Sequence, residues 1–494
     1  MSSVTPVRHQ SRTPKRVTPP VAPPIDTAAI IEMLRAKAET VLGALNGVTL
    51  SGFQVGSLGN FPYVWQNPSN PLQFNYLTYE WINSHLAANT TPVALDELFT
   101  DQYLQALSAV RYNLSTADQE RLNAAQAAAT QQQAALLNQW LASYQKFPAL
   151  TSTGEPIDAV VSTIATTWAV PATTLQDMAS ADDLSQLLNN MPASGVPILP
   201  MLAQWLNAMN SSIALQNATT MNPSYLQKAL TAVSHPSASN GGLLTDNADG
   251  QLRPAYAMAA SSQVSDIENS LKGTSHVTVD MSVVRSSASE FTVSAGGQTQ
   301  FSVPVDDFIS VDVSASASYF KDTIATSSNT VNVSMSFSGV TLVNFGPVPF
   351  DLSTFQNWFW MDPIRQAIAN GSKDVTGFEF SHDPGIDFSS SGPFGYLQGV
   401  AIANYPTITI QVTSSDYEKI HTTFQSQIDV NVSFIGISLA SGSASSYSNV
   451  TSIDASTQTV TITLNPPPDL IAGTVADSTG WILGVQTEYP AATN

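Results

Sequence analysis

From about residue 275 onward, apolar and hydroxyl-bearing residues alternate one for one. The clearest run is Ile309-Ser310-Val311-Asp312-Val313-Ser314-Ala315-Ser316-Ala317-Ser318-Tyr319, and Val331-Asn332-Val333-Ser334-Met335-Ser336-Phe337 matches it. Successive side chains of a strand point to opposite faces, so each run makes one apolar face and one hydroxyl face. The two runs are expected to pair with each other. Before residue 275 the chain is rich in Ala, Gln and Leu at helical spacing. The expected fold is α+β: an N-terminal helical bundle followed by a C-terminal antiparallel β-sandwich-like domain.

Four segments follow from this change of pattern. Residues 1–25 hold Pro19-Pro20, Pro23-Pro24 and four bases, and read as a disordered Pro-rich arm. Residues 26–234 read as the helical domain. Asp26 is a good N-cap and Gly47 a good stop for its first helix. Further helices are expected over 76–88, 96–110, 115–145, 156–168, 172–190, 198–216 and 223–234, with prolines between several of them. The helix from Ser115 or Thr116 to Gln145 is almost pure Ala and Gln in its middle, so its propensity is high and its apolar stripe thin. Residues 235–274 read as a linker with a short helix near 263–272. Residues 275–494 read as the β-rich domain, with strands at 276–284, 289–294, 299–303, 307–319, 330–343, 375–380, 397–403, 406–413, 427–439, 449–453 and 457–464, and a helical break near Pro363 to Asn370.

Charge narrows the partners. Only 11% of residues are charged, against about 25% in ordinary soluble proteins. Ser, Thr, Asn and Gln supply solubility instead. The first 16 residues carry Arg8, Arg12, Lys15 and Arg16 and no acid, whereas the rest carries 13 bases and 37 acids. An acidic body repels phosphate backbones, so it is not expected to bind nucleic acid. The basic arm is free to dock on an anionic partner. The chain has no cysteine, which removes disulfides, Zn–thiolate sites and thiol nucleophiles. The N-terminus has no apolar core of a classical signal peptide, and no run of 18 apolar residues occurs. A secreted or particle-associated location would then need another export route.

Catalytic signatures do not emerge. There is no Gly-x-Ser-x-Gly, no phosphate-cradling glycine loop, no His-Glu-x-x-His and no dinucleotide fingerprint. The small cluster of His382, Asp383 and Asp387 precedes or follows Pro384-Gly385 and reads first as a turn. Asp246 to Gly250 has the wrong spacing for a calcium loop, and Asp306, Asp307 and Asp312 read as charges blunting a strand edge. No enzyme activity, cofactor or metal is expected.

Two groups of residues invite a functional reading. Val311, Val313, Ala315, Ala317, Val331, Val333, Met335 and Phe337 form apolar faces on runs about as long as a transmembrane β-strand, which needs roughly 9–11 residues. Such a Ser-rich ribbon suits a pore former, and an ordinary half-solvated sheet has the same pattern. Phe355, Trp358, Phe359 and Trp360, with Trp481, are candidates for an aromatic surface that wedges at a membrane or stacks on sugars. Their plain role would be to plug one end of the sandwich.

Three short segments carry a resemblance: Arg253-Pro254-Ala255-Tyr256, Tyr405-Pro406-Thr407-Ile408-Thr409-Ile410 and Ser415-Asp416-Tyr417. Through them the β half resembles uncharacterised Ser/Thr-rich β proteins of fungi and bacteria. That resemblance implies no activity and assigns no site.

The leading expectation is a non-enzymatic protein that interacts with a membrane or cell surface, toxin-like, self-associating and inserting its Ser-rich strands. The alternative is a structural or cargo protein of a viral or secretion particle that docks through its basic arm. A further alternative is a carbohydrate-binding protein that uses Trp358, Trp360 or Trp481 as stacking platforms.

Overall fold

Local chemistry sets the ends of the helices at 116–144 and 156–167. The computed structural model describes residues 36–37, 61–62, 66–67, 70–74, 76–83, 99–149, 154–168, 184, 191–240, 243–244, 252–259, 262, 264–287, 290–295, 299–304, 309–312, 330–390, 392–425, 429–434, 437–438, 447–466 and 479–490. Among them the helices are α1 (Tyr76–Asn83), α2 (Phe99–Ser108), α3 (Thr116–Tyr144), α4 (Pro156–Thr167), α5 (Leu199–Ser234), α6 (Val264–Leu271), α7 (Asp362–Asn370) and α8 (Tyr417–Gln425). Ser115 caps α3 by accepting the Asp118 amide at 3.2 Å, and Gln145 ends it in the left-handed conformation. Glu155 and Asp158 form a reciprocal capping box on α4, with Pro156 in the first turn.

The strands are β1 (Asn70–Phe74), β2 (Val110–Asn113), β3 (Tyr256–Met258), β4 (His276–Arg285), β5 (Glu290–Ala295), β6 (Thr299–Pro304), β7 (Ile309–Asp312), β8 (Thr330–Ser338), β9 (Thr341–Pro347), β10 (Gly377–Phe380), β11 (Tyr396–Ala403), β12 (Thr407–Thr413), β13 (Asp429–Phe434), β14 (Tyr447–Asp454), β15 (Thr459–Asn465) and β16 (Thr479–Glu488). A ten-stranded sheet runs β6-β5-β4-β8-β12-β15-β14-β13-β7, with Ile437–Ser438 added to β13. A seven-stranded sheet runs Phe61–Pro62, β16, β11, β9, β3, β1 and Gln66–Asn67. All of these pairings are antiparallel.

Burial shows how the sheets stack. The inner rows of the ten-stranded sheet meet Ala401, Ala403, Trp481 and Leu483 of the seven-stranded sheet, with Tyr405 just beyond β11, in one core. The opposite face of the seven-stranded sheet, with Val400, Ile402, Ile482 and Val485, packs on helical residues including Tyr79, Tyr103, Leu226 and Ile364. The seven-stranded sheet is therefore covered on both sides, which is why β11 reads Leu397-Gln398-Gly399-Val400-Ala401-Ile402-Ala403 with little alternation. The ten-stranded sheet is an outer layer with one side facing solvent. The fold is α+β, as the change of pattern implies.

A third core holds the helical arm. Leu136 and Trp140 of α3, Ile157, Val160 and Ile164 of α4, and Leu202, Trp205 and Leu206 of α5 meet there. α5 has 36 residues, about 54 Å at the α-helical rise. Its first turns lie in this core and its last, Leu226, Ala229, Ala232 and Val233, in the core beneath the seven-stranded sheet. From Leu206 to Leu226 only Ser212 is buried.

Several expectations need correction. The described part of the run at 309–319, β7, does not pair with the run at 330–340. β7 pairs β13, whereas β8 lies between β4 and β12. Alternation marks a face and carries no information about which neighbour takes the ladder. The stretch 330–343 is two strands in two different sheets. Gly339, at φ +69°, makes the corner, and a Cβ there would sit 2.2 Å from the Leu271 carbonyl oxygen. The helices expected at 198–216 and 223–234 are one helix that carries Pro223 inside it. Residues assigned to the helical domain also cross into the β half: β1 joins β3, β2 pairs β10, and Tyr79 and Tyr103 share a core with Tyr396 and Val485. The expected helix over 172–190 lies outside the described residues save Leu184, and that over 26–47 save Ala36 and Lys37.

Candidate functional site

Register turns the alternation into rows. On the inner side, Met281, Val333, Ile410 and Ile462 are successive partners across four strands. On the outer side, Ser294, Ser282, Asn332, Gln411, Thr461 and Ser452 are successive partners across β5, β4, β8, β12, β15 and β14. The next outer row is Asp280, Ser334, Thr409 and Thr463. A third is Thr413, Thr459 and Asp454. Hydroxyl and amide groups thus stand at strand spacing, about 4.8 Å, across one sheet face.

This face holds a concavity of about 740 Å³. Its described lining is Asp280 and Ser282 of β4, Ser294 of β5, Asn332 and Ser334 of β8, and Thr409 and Gln411 of β12, together with Met281 and Val333. Asp280 is the one charged side chain among these. Ser334 donates to its carboxylate at 2.7 Å, and Thr413 and Thr459 share a 3.0 Å bond one row away. The amides of Asn332 and Gln411 are exposed and make no hydrogen bond among the described residues. Lys37 reaches the same sheet and donates to the Thr278 carbonyl, past the point where β5 stops pairing with β4.

Four of the strand candidates lie under this face. Val331, Val333, Met335 and Phe337 are buried in the sandwich core. Val311 pairs with Val432 on β7. Val313, Ala315 and Ala317 fall outside the described residues, as do Arg8, Arg12, Lys15 and Arg16 of the arm.

The aromatic candidates are turned inward. Trp481 is 5% exposed and packs against Phe337 at 5.6 Å between ring centroids, so two candidate sets meet inside the sandwich. Trp358 is 1% exposed. Its Nε1 donates to the Ala255 carbonyl at 2.7 Å, and the Tyr103 hydroxyl donates to its carbonyl and accepts the Trp360 amide. Phe359 and Trp360 are half-buried against the same core. Phe355, at φ +58°, lies under the Lys228 ammonium at 3.1 Å and beside Tyr225. Asp351 holds that loop by accepting from Ser353 and Thr354, which draw its carboxyl down to about 2. These rings close the interior, so none of Trp358, Phe359, Trp360 and Trp481 is a freely exposed platform.

One buried carboxylate was not anticipated. Glu80 of α1 lies wholly inside, with Tyr79 beside it stacked on Tyr256 at 3.7 Å. Its oxygens accept the Phe99 amide at 2.7 Å, the Thr100 amide at 3.3 Å and the Tyr256 hydroxyl at 2.8 Å. Burial pushes the carboxyl up to about 7, against the pull of Tyr256 and the two amides. The group ties the start of α2 to the seven-stranded sheet. A lone acid between Tyr79 and Trp81 in an otherwise uncharged helix was its sequence signal.

Other clusters resolve into turns. Asp383 accepts the Gly385 amide, Asp387 accepts the Ser389 amide, and His382 contacts the Ser381 hydroxyl. Asp246 to Gly250, Asp306 and Asp307 fall outside the described residues. Among the described residues no three His, Asp or Glu stand close enough to hold a metal ion. None of the described helices is long and apolar enough to cross a membrane. Compared with protein families, curated proteins and solved structures, the chain matches none.

Proposed function

We propose that this is a non-enzymatic surface-interacting protein, and that the outer face of the ten-stranded sheet makes the contact. The observation that supports it most is the six-strand row from Ser294 to Ser452 above a concavity whose described lining holds a single charge. A sheet face needs only enough polarity to stay soluble, and mixed charges usually supply it. This one is built instead of neutral groups that both donate and accept hydrogen bonds.

Insertion of the Ser-rich strands into a membrane is the costlier route. β8 would have to leave β4 and β12, paired with it over eight and seven residues, and uncover four core side chains. Each such side chain contributes about 2 kcal/mol by burial alone. Contact through the solvated face disturbs none of this.

Retention of the purified chain on vesicles, cells and glycan-coated beads tests the reading. Asn332→Trp fills the middle of the concavity from an exposed position. Wild type is expected to be retained on one of these surfaces and Asn332→Trp to be washed off. Equal retention of the two proteins overturns the proposal.

A further inference from the structure

Resting on that surface reading, we infer that the ligand of the outer face is a neutral polysaccharide chain, held across the strands along the row Ser282, Asn332, Gln411 and Thr461. Four observations lead there.

Charge comes first. The described lining offers one carboxylate and no cation, on a chain of net charge −20. Phosphate, sulfate and uronate groups would meet the Asp280 carboxylate in the lining, while Lys37 is bonded to the Thr278 carbonyl and is not part of that lining. A lone Asp280, already bonded by Ser334, does not suit a cationic polymer either.

The second is hydrogen-bond type. Ser and Thr hydroxyls and the Asn332 and Gln411 amides each donate and accept. A ligand that satisfies both roles at every step is one with hydroxyl groups, which have the same double character. The two amides face each other across β8 and β12 with their bonds uncommitted among the described residues.

Repeat is the third. The row offers one polar group per strand at about 4.8 Å. An extended pyranose chain advances by roughly one sugar per strand-to-strand step, so successive sugars meet equivalent groups. A lipid headgroup layer has no such linear order.

The fourth is exposed apolar side chains on the same face. Val284 of β4 and Val450 of β14 share this face and are 59% and 58% exposed. They offer apolar contact to the C–H faces of sugar rings, a role that aromatic platforms would otherwise fill.

The test uses the full chain and three probes in parallel: a soluble neutral β-1,4-glucan oligomer, chondroitin sulfate, and vesicles of phosphatidylcholine with phosphatidylserine. Calorimetry or pull-down compares wild type with Asn332→Ala and Gln411→Ala, whose thermal unfolding is checked beside wild type. The inference expects the glucan oligomer to bind, with affinity lowered about tenfold in each variant. Binding of chondroitin sulfate or vesicles alone, lost in the same variants, overturns the neutral-polysaccharide inference and leaves the surface reading standing. Binding that both variants keep, or no binding to any probe, overturns the inference and removes this support from the surface reading.

Discussion

The ten-stranded sheet and the helical arm solve the same problem, a large surface with few charges, in different ways. The sheet seals one face in dense rows of Val, Ile and Met and leaves hydroxyls and amides on the other. The arm pairs α3 and α5, which together span long stretches with no charge: none from Leu122 to Tyr144, and Lys228 alone in α5. α3 buries just Leu122, Ala129, Leu136 and Trp140, and α5 leaves Met209, Ile213 and Met221 exposed. Register couples each sheet residue to partners on two sides. A thin seam couples a helix at one residue in seven. The sheet is therefore expected to behave as one cooperative unit and the arm as a locally weaker one.

The largest expected effect breaks the sheet. Val333→Asp buries an unpaired carboxylate between Met281 and Ile410, and should cost about 4 kcal/mol or more. Loss of the whole unfolding transition in circular dichroism is the expected outcome. A variant that melts like wild type would show that this face is not sealed.

Leu136→Ala tests the arm. The side chain is fully buried in the arm's own core, so the change should cost about 3 kcal/mol. Hydrogen exchange should speed up in α3 and α4 and in the first half of α5, and leave β4, β8 and β12 protected. Faster exchange spread equally over the sheet would end the distinction between the two regions.

Glu80 sharpens the comparison through pH. Its folded pKa of about 7 lies above the ordinary value of 4.5. Between these values the native state keeps a proton that the unfolded chain has released. Stability from this group is therefore fullest below about pH 4.5 and falls as pH climbs to about 7, by about 3 kcal/mol. Glu80→Gln should flatten this part of the stability–pH curve measured by denaturant unfolding. A slope unchanged by the substitution would assign it to other groups.

The smallest expected effect on stability is at the proposed contact face. Asn332→Ala should change unfolding by less than about 0.5 kcal/mol, because the side chain is exposed and bonded to no described neighbour. A large loss would mean that the face is structural.

Much of the sheet was legible because its period is two. The pattern at 330–337 separated Val331, Val333, Met335 and Phe337 from Asn332, Ser334 and Ser336, and burial follows the same division. Pairing was not legible. Nothing local to 309–319 tells β7 to choose β13, because many Ser-rich strands are equivalent partners by pattern. Reading 198–216 and 223–234 as two helices failed for a related reason: Pro223 costs a hydrogen bond, whereas packing at both ends of α5 carries the helix through it. The aromatic cluster was legible, with plugging one end of the sandwich as its plain role, but its partners were not. Trp358 depends on Ala255 and Tyr103, remote in sequence. The proposed contact face was not legible, since Asn332 and Gln411 become neighbours only once β8 and β12 pair.

The absence of cysteine allows the central claim to be tested at single residues. Asn332→Cys and Val333→Cys, one residue apart and on opposite sides of β8, are labelled with a thiol reagent before and after the chain engages its surface. The account expects Asn332→Cys to react quickly in the free protein and slowly when bound, with Val333→Cys closed in both states. Opening of Val333→Cys on engagement, or a reaction at Asn332→Cys that engagement does not slow, would contradict it.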